Sequence, residues 1–167
     1  MGTKGRAIVN VNIEDLLKEL NKALADEWLA YYQYWIGAKI VVGPMKQSAM
    51  DELIQHAADE LRHAEMISGR ILQLGGTPVL SPFDWEKLST CGYLKPDDPY
   101  VRKVIDQGIK GEQCAIDVYS KLLEMVKDKD IVTYNLILSI LQDEIEHEED
   151  FQALIEDINQ MMEREKK

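Results

Sequence analysis

The sequence predicts an all-α fold, a four-helix bundle in which two antiparallel helix pairs are joined by a long crossover. Apolar residues recur at helical spacing along four stretches, each about 30 residues long. Segments containing glycine, proline or aspartate separate these stretches, and the links are short, long and short in turn. No stretch alternates apolar and polar residues as a strand would. We expect residues 1–167 to form a single domain, with helices at about 12–42, 45–74, 99–127 and 130–163 and the crossover at 76–98.

The first helix pair has clear start and stop signals. Asn12 is a good N-cap for the first helix, and Gly43 followed by proline ends it. Two glycines from Gly75 end the second helix. A single glutamate interrupts the apolar stripe of each helix, Glu27 in the first and Glu60 in the second.

The crossover and the second helix pair are marked in the same way. Phe83 to Leu88 can form a short helical turn within the crossover. Asp98 and Pro99 are predicted to be the N-cap and first residue of the third helix. Asp130 is predicted to cap the fourth helix, after a short link.

The two helix pairs resemble an internal duplication, because each repeats the same set of polar residues. Four glutamates lie in the four apolar stripes, and two of the three histidines follow a glutamate by three residues. The spacing between the glutamates of a pair is 33 residues in the first half and 32 in the second. The six residues of this pattern are Glu27, Glu60, His63, Glu112, Glu144 and His147.

These six side chains predict two metal ions inside the bundle. The two side chains of a Glu-x-x-His pair point the same way from a helix. By composition alone, a given histidine follows a glutamate by three residues in about a tenth of cases, so one such pair is weak evidence. Buried carboxylates must be paired, protonated or metal-bound, and no lysine or arginine lies nearby in these stripes. Four carboxylates and two neutral imidazoles balance the charge of two divalent ions. Oxygen-rich ligands with one imidazole per ion favour iron or manganese over structural zinc.

Composition and charge exclude several classes of function. The net charge of −11 argues against general binding to nucleic acid or anionic membranes, so a nucleic-acid partner is not expected. No apolar run reaches the roughly 20 residues that span a bilayer, and the first ten residues lack a signal-peptide core. We therefore expect a cytoplasmic protein with no membrane partner. Cys91 and Cys114 are too few for a secreted disulfide scaffold, and a pair between them would suit a redox role as well as a structural one.

The chain resembles the ferritin superfamily over nearly its whole length, and locally it is similar to bacterioferritins. The similarity is carried by the segment from Asp26 to Tyr34 and by the segment from Ile71 to Pro78. The resemblance implies a di-iron centre in which manganese or zinc can substitute. It makes Glu27 and His63 ligands of one iron, Glu112 and His147 ligands of the other, and Glu60 and Glu144 bridges between them. It also places Tyr34 beside the centre.

Two departures from bacterioferritin modify this expectation. The position after the bridging glutamate of the second helix holds the haem-ligating methionine in bacterioferritins, and here it is Leu61. We therefore expect no haem. The chain also lacks the short fifth helix of 24-subunit ferritins, which favours a smaller shell.

The cysteines are similar in placement to those of the Dps-like subclass called thioferritins. Cys114 follows Glu112 by two residues, and Cys91 lies in the crossover. The resemblance implies a dodecameric cage of identical subunits, with Fe(II) and hydrogen peroxide as substrates, and makes the cysteines a redox pair near the iron. The alternative is that both thiols are buried, small apolar side chains.

His56, one heptad before His63, has two interpretations. It can contact the metal ligands or bind iron transiently, but we favour a partly buried or surface histidine.

The function expected from these observations is a ferroxidase and iron-storage subunit that protects against oxidative stress. Three alternatives remain open: a haem-free bacterioferritin-type store that uses O₂, a rubrerythrin-like peroxidase without a cage, and a DNA-protecting Dps protein.

Overall fold

The computed structural model describes residues 3 to 165, and most of them are helical. The helices are α1 (Thr3–Ala7), α2 (Ile13–Ile40), α3 (Lys46–Leu74), α4 (Trp85–Leu88), α5 (Val101–Val126) and α6 (Ile131–Glu165), with a 3₁₀ turn at Pro82–Asp84. The four long helices form the bundle, with α2 packed on α3 and α5 on α6. The predicted all-α four-helix bundle is confirmed, and each bound of the long helices differs by at most two residues from its predicted position. Helix α1 was not predicted.

Several helix ends follow the predicted local signals. The Asn12 side chain accepts hydrogen bonds from the backbone N–H groups of Glu14 and Asp15, at 2.9 and 3.2 Å. Gly75 has a φ of 85°, and the next N–H bonds back to the carbonyl of Ile71, which is a typical helix stop. Asp130 caps α6 by accepting from backbone N–H groups one turn ahead.

The predicted start of the third bundle helix is wrong by two residues. Val42 donates its N–H to the carbonyl of Pro99 at 2.9 Å and accepts from the N–H of Val101 at 2.8 Å. These two bonds flank Tyr100, whose backbone is extended, so α5 begins at Val101 with Tyr100 as its N-cap. Asp98 accepts the N–H of Tyr100 instead of capping the helix.

The hydrophobic core consists of two clusters, one on each side of a polar layer. One cluster includes Leu20, Leu24, Ile67, Tyr119, Ile137 and Ile140. The other includes Tyr34, Leu53, Ile105, Phe151, Leu154 and Ile158. Helices α5 and α6 pack closely at the second cluster, where a Cβ on Gly108 would lie only 2.6 Å from the ring of Phe151. The four buried glutamates lie between the two clusters.

The crossover is fixed to the bundle by side chains of α2 and by a disulfide to α5. Asp26 accepts hydrogen bonds from the backbone N–H groups of Thr90 and Cys91, both at 2.9 Å, and burial raises its pKa. Gln33 accepts the N–H of Leu94 at 2.9 Å. Cys91 is disulfide-bonded to Cys114, with a Cα–Cα distance of 5.7 Å. The crossover therefore lies against the bundle beside Glu27 and Glu112.

An ion pair is buried at one end of the bundle. Arg70 on α3 donates to both carboxylate oxygens of Asp130, at 3.0 and 2.7 Å, and to the hydroxyl of Thr133. Arg70 is 5% exposed and Asp130 is 3% exposed. The pair joins α3 to the start of α6. None of the helices in residues 3–165 combines the length and apolar character that a bilayer crossing requires.

Candidate metal centre

All six predicted ligand residues meet at the middle of the bundle. Each of the four long helices contributes one glutamate, and α3 and α6 each add a histidine. Every one of the six is at most 3% exposed. Their meeting point follows from the sequence pattern, because a glutamate in an apolar stripe must face the other helices.

The ligand atoms fall into two groups that share two carboxylates. Glu27, Glu60, His63 and Glu144 form one group, and Glu60, Glu112, Glu144 and His147 form the other, with ligand atoms within 4.8 Å of one another in each. Nδ1 of His63 lies 3.1 Å from Glu144 and 3.3 Å from Glu60. Nδ1 of His147 lies 3.7 Å from each of the same two carboxylates. Glu60 and Glu144 thus belong to both groups.

The donor atoms of this centre fit metal ions. Among the described residues, Oε2 of Glu27, Oε1 of Glu60, both oxygens of Glu144 and Nδ1 of His147 have no hydrogen-bond partner. Polar atoms left unpaired in a protein interior cost about 1–3 kcal/mol each, and more when charged. Two divalent cations would satisfy all of these atoms and neutralise the carboxylates. The two groups can therefore each hold one ion.

The clustered charges of the centre shift the pKa values of its side chains. Burial and the neighbouring Glu144 carboxylate raise the pKa of Glu60 and of Glu112 well above their usual range. Burial alone would lower the pKa of His63, but its contacts with Glu144, Glu27 and Glu60 outweigh burial and raise it. Burial alone would raise the pKa of Glu144, but its close contacts with the His147 and His63 imidazoles outweigh burial and lower it to about 2. The carboxylates around His63 thus favour its positively charged form, and the same surroundings favour a bound cation.

Two aspartates orient the histidines, and each reaches across to the other helix pair. Nε2 of His63 lies 3.1 Å from Asp143 on α6, and Nε2 of His147 lies 3.5 Å from Asp59 on α3. Arg62 donates to both aspartates, at 2.8 and 3.0 Å. A carboxylate on the far nitrogen fixes the tautomer that leaves Nδ1 free to ligate. Sequence reasoning missed both residues, although an aspartate directly precedes the glutamate of each Glu-x-x-His pair.

Two tyrosines bind the outer glutamates, Glu27 and Glu112, which each belong to only one ligand group. These contacts also cross from one helix pair to the other. Tyr34 on α2 donates to Glu112 on α5 at 2.6 Å, and Tyr119 on α5 donates to Glu27 on α2. Tyr34 lies beside the centre, where the resemblance placed it. Tyr119 was not predicted as part of the site, although it follows Glu112 by one heptad as Tyr34 follows Glu27.

The interpretation of His56 as a surface or partly buried histidine is wrong. Its side chain is fully buried, with its ring stacked on that of His147 at a centroid distance of 4.0 Å. Burial and the nearby His147 lower the pKa of His56 to about 3. The sequence showed that His56 faces roughly the same way as His63, but its burial depends on α6, which supplies His147 and Phe151.

A small cavity connects the disulfide with the polar layer. Its volume is about 50 Å³, and its walls include Cys91, Gly92, Lys110 and the glutamates Glu27, Glu60, Glu112 and Glu144. Cys91 and Cys114 form a disulfide, and Cys91 shares this cavity with four glutamates of the candidate metal centre.

The fold and the doubled Glu-x-x-His centre define a ferritin-type protein, and comparison with known proteins agrees. The family model "Ferritin-like domain" matches residues 17–161. The chain belongs to the ferritin-like family, a family of iron-binding proteins.

Individual relatives specify the group within the family. The solved structure of a dodecameric thioferritin, the bacterioferritin-related protein of Bacteroides fragilis, superposes with a TM-score of 0.96 at 37% identity, covering 98% of both chains. The DNA protection during starvation protein of Pyrococcus furiosus is 35% identical over 87% of this chain and 79% of that protein. A bacterioferritin of Rhodobacter capsulatus is 28% identical over 79% of this chain and 77% of its own length. The predicted membership of the Dps-like, thioferritin-type group is confirmed.

Proposed function

We propose that this protein is a ferroxidase and iron-storing subunit of a cage, and that it oxidises Fe(II) preferentially with hydrogen peroxide. Glu27 and His63 bind one Fe(II), Glu112 and His147 bind the other, and Glu60 and Glu144 bridge them. The observation that supports this most is that two carboxylate-rich groups share Glu60 and Glu144, with buried ligand atoms that no described residue satisfies.

Holding two iron ions together matches the electron count of the reaction. Each Fe(II) gives up one electron, and hydrogen peroxide accepts two and yields two hydroxide ions. Simultaneous oxidation of two irons avoids the one-electron reduction that would release a hydroxyl radical. The residues contribute position and charge: the bridges keep both ions within reach of one oxidant, and Asp59 and Asp143 keep both imidazoles in the ligating tautomer.

The cysteine pair is proposed to be a source of two electrons for the same chemistry. In the reduced form, two thiols would give up two electrons and two protons and become the disulfide seen here. The cavity that joins Cys91 to the buried glutamates supports this role. When Fe(II) is limiting, pre-reduced protein is expected to consume more peroxide than its iron accounts for, because the two thiols supply two further electrons as they form the disulfide. The double variant Cys91→Ser with Cys114→Ser should lose this surplus. An unchanged surplus and unchanged assembly in that variant would leave the cysteines as packing residues.

The assembly proposed is a homo-oligomeric cage in the cytoplasm, with twelve subunits. The support comes from the thioferritin of Bacteroides fragilis, which is described as dodecameric and matches this chain end to end. A cage gives the ferric product an enclosed space, which a lone subunit lacks.

Peroxide-driven Fe(II) loading of the purified protein tests the whole proposal. Wild-type protein is expected to take up many irons per subunit in a particle of cage mass, faster with peroxide than with O₂. Glu60→Ala and His147→Ala should abolish fast oxidation without changing the particle mass, whereas Glu146→Ala, an exposed residue of the same helix, should leave the rate unchanged. Full activity in either ligand variant would refute the site.

The same measurements separate the alternatives. A faster reaction with O₂ than with peroxide would favour a bacterioferritin-type store, and a dimer-sized particle would favour a rubrerythrin-like peroxidase. DNA binding is kept as a second candidate because of the name of the Pyrococcus furiosus relative. A net charge of −11 opposes it, and a gel shift at low salt decides it.

A further inference from the structure

Beside the six-residue centre lies a second cluster that the proposed function does not use. It consists of Glu52 and His56 on α3 and Asp150 on α6. Nε2 of His56 lies 3.8 Å from a Glu52 oxygen and 3.6 Å from an Asp150 oxygen. The His56 side chain is fully buried, whereas the side chains of Glu52 and Asp150 are 35% and 36% exposed. The cluster thus has a buried imidazole at its base and two carboxylates at the solvent.

His56 is a buried polar side chain that has no hydrogen-bond partner among the described residues. Neither of its ring nitrogens makes a hydrogen bond. A buried nitrogen without a hydrogen-bond partner is unfavourable, so a ligand at Nε2 would be favoured. The opposite nitrogen, Nδ1, lies 3.8 Å from Glu112. His56 is therefore placed between the buried centre and the two exposed carboxylates.

The His56 ring is held in one orientation by its neighbours. It stacks on His147 at 4.0 Å and packs against Phe151 at 4.3 Å between ring centroids. Tyr34 meets it edge-on at 6.1 Å. With the ring fixed, Nε2 stays directed toward Glu52 and Asp150, as a preorganised ligand should.

The equivalent position in the other half of the bundle is apolar. Glu60 corresponds to Glu144 and His63 to His147, 84 residues later in each case. The same offset relates His56 to Ile140, Glu52 to Leu136, and Met66 to Asp150. Ile140 is fully buried, and Leu136 and Met66 pack against its cluster. Repetition of the metal centre therefore does not explain why Glu52, His56 and Asp150 are polar.

We propose that Glu52, His56 and Asp150 bind a third divalent transition-metal ion, separate from the two ions of the buried centre. One imidazole nitrogen and two carboxylate oxygens suit Fe²⁺, Mn²⁺, Co²⁺ or Zn²⁺, with water completing the coordination. The half-exposed carboxylates admit the ion from solvent, and His56 links the site to Glu112. A further step, delivery of Fe(II) from this site to the centre, rests on the proposed ferroxidase function.

Anomalous diffraction from crystals of chelator-treated protein soaked in Co²⁺ tests the binding site directly. Wild-type protein is expected to show two peaks at the buried centre and a third between Glu52, His56 and Asp150. The double variant Glu52→Gln with Asp150→Asn should lose the third peak and keep the other two. The matched control, Asp51→Asn with Glu149→Gln, removes the same charge from exposed neighbours and should keep all three.

The outcomes distinguish this proposal from the function on which its second step rests. Absence of the third peak in wild type, or its persistence in the double variant, overturns the third site. A third peak without the two central peaks would support the third site and overturn the di-metal centre.

The delivery step has its own measurement. At limiting Fe(II), the double variant should oxidise iron about tenfold more slowly than the control, because capture at the surface is weakened. At saturating Fe(II), the two rates should be equal. Equal rates at limiting Fe(II) would refute delivery and leave only the binding site.

Discussion

The two halves of the bundle, α2 with α3 and α5 with α6, are alike at the metal layer and unlike outside it. At the layer each half supplies the same five groups: Glu27, Tyr34, Asp59, Glu60 and His63 in one, and Glu112, Tyr119, Asp143, Glu144 and His147 in the other. The partners are exchanged, since each tyrosine and each aspartate contacts a ligand of the opposite half. A change in one half would therefore leave a buried group of the other half without its partner.

Outside the layer this constraint ends, and the halves differ. His56 and its two carboxylates occupy one half where the other has Ile140 and apolar neighbours. At the other end, Arg70 forms a buried ion pair with Asp130, whereas the residue equivalent to Arg70 is the buried, apolar Leu154. The comparison indicates that crossed contacts preserve the symmetry of the metal layer, while positions without them vary.

The largest expected effect comes from the carboxylates that the two ions share. At free metal a thousandfold above Kd, each ion stabilises the folded protein by about 4 kcal/mol, and two by about 8 kcal/mol. Glu60→Ala and Glu144→Ala should each lose nearly all of this increment, whereas Glu27→Ala and Glu112→Ala should each lose about half. Denaturant unfolding with and without saturating Mn²⁺ measures it. Equal losses in all four variants would show that no carboxylate is shared.

The buried ion pair outside the layer should give the next largest effect. Asp130→Asn leaves Arg70 buried without its countercharge, at an expected cost of about 3–5 kcal/mol in unfolding free energy. Asp128→Asn, two residues away and exposed, is the control and should change stability little. If Asp130→Asn lost no more unfolding free energy than the control, the ion pair would contribute nothing to the junction of α3 and α6.

The same pair predicts a pH dependence. Burial alone would raise the pKa of Asp130, but hydrogen bonds from Thr133 and Arg70 outweigh burial and lower it below 3.8. Its contribution to stability is therefore complete above pH 3.8 and is lost as the pH falls through the lower, folded-state value. The stability difference between wild type and Asp130→Asn should narrow in acid, as measured by urea unfolding at several pH values. A difference that is constant into strong acid would contradict the assignment.

The crossed aspartates test whether the halves depend on each other. Asp59→Asn should lower the affinity of the site that contains His147, and Asp143→Asn that of the site that contains His63, each by about 10–100-fold. Isothermal titration with Mn²⁺ measures binding at the two central sites, with Asp51→Asn as the exposed control on α3. If each variant weakened the site of its own helix instead, the crossed arrangement would be wrong.

The tyrosines should give the smallest effect and the most symmetric one. Tyr34→Phe and Tyr119→Phe each remove one hydrogen bond to an outer glutamate, worth about 1 kcal/mol. The two variants are expected to lose Mn²⁺ affinity equally, by about fivefold. Unequal losses would show that the halves already differ at the metal layer.

The sequence by itself determined the four helices, the caps at Asn12 and Asp130, and the six residues of the candidate centre. These features are local or periodic: a cap lies next to the turn it satisfies, and a glutamate at a stripe position must face the core. The doubled spacing of the glutamates then placed all six residues at one level of the bundle.

Only the tertiary structure decided which side chains meet across the helix pairs. His56 is buried because α6 brings His147 and Phe151 over it, and Asp59 and Asp143 matter because each faces a histidine of the other half. The pairing of the cysteines and the late start of α5 likewise depend on segments far apart in the chain. Periodicity indicates the face of a helix on which a residue lies, but not which neighbour covers that face.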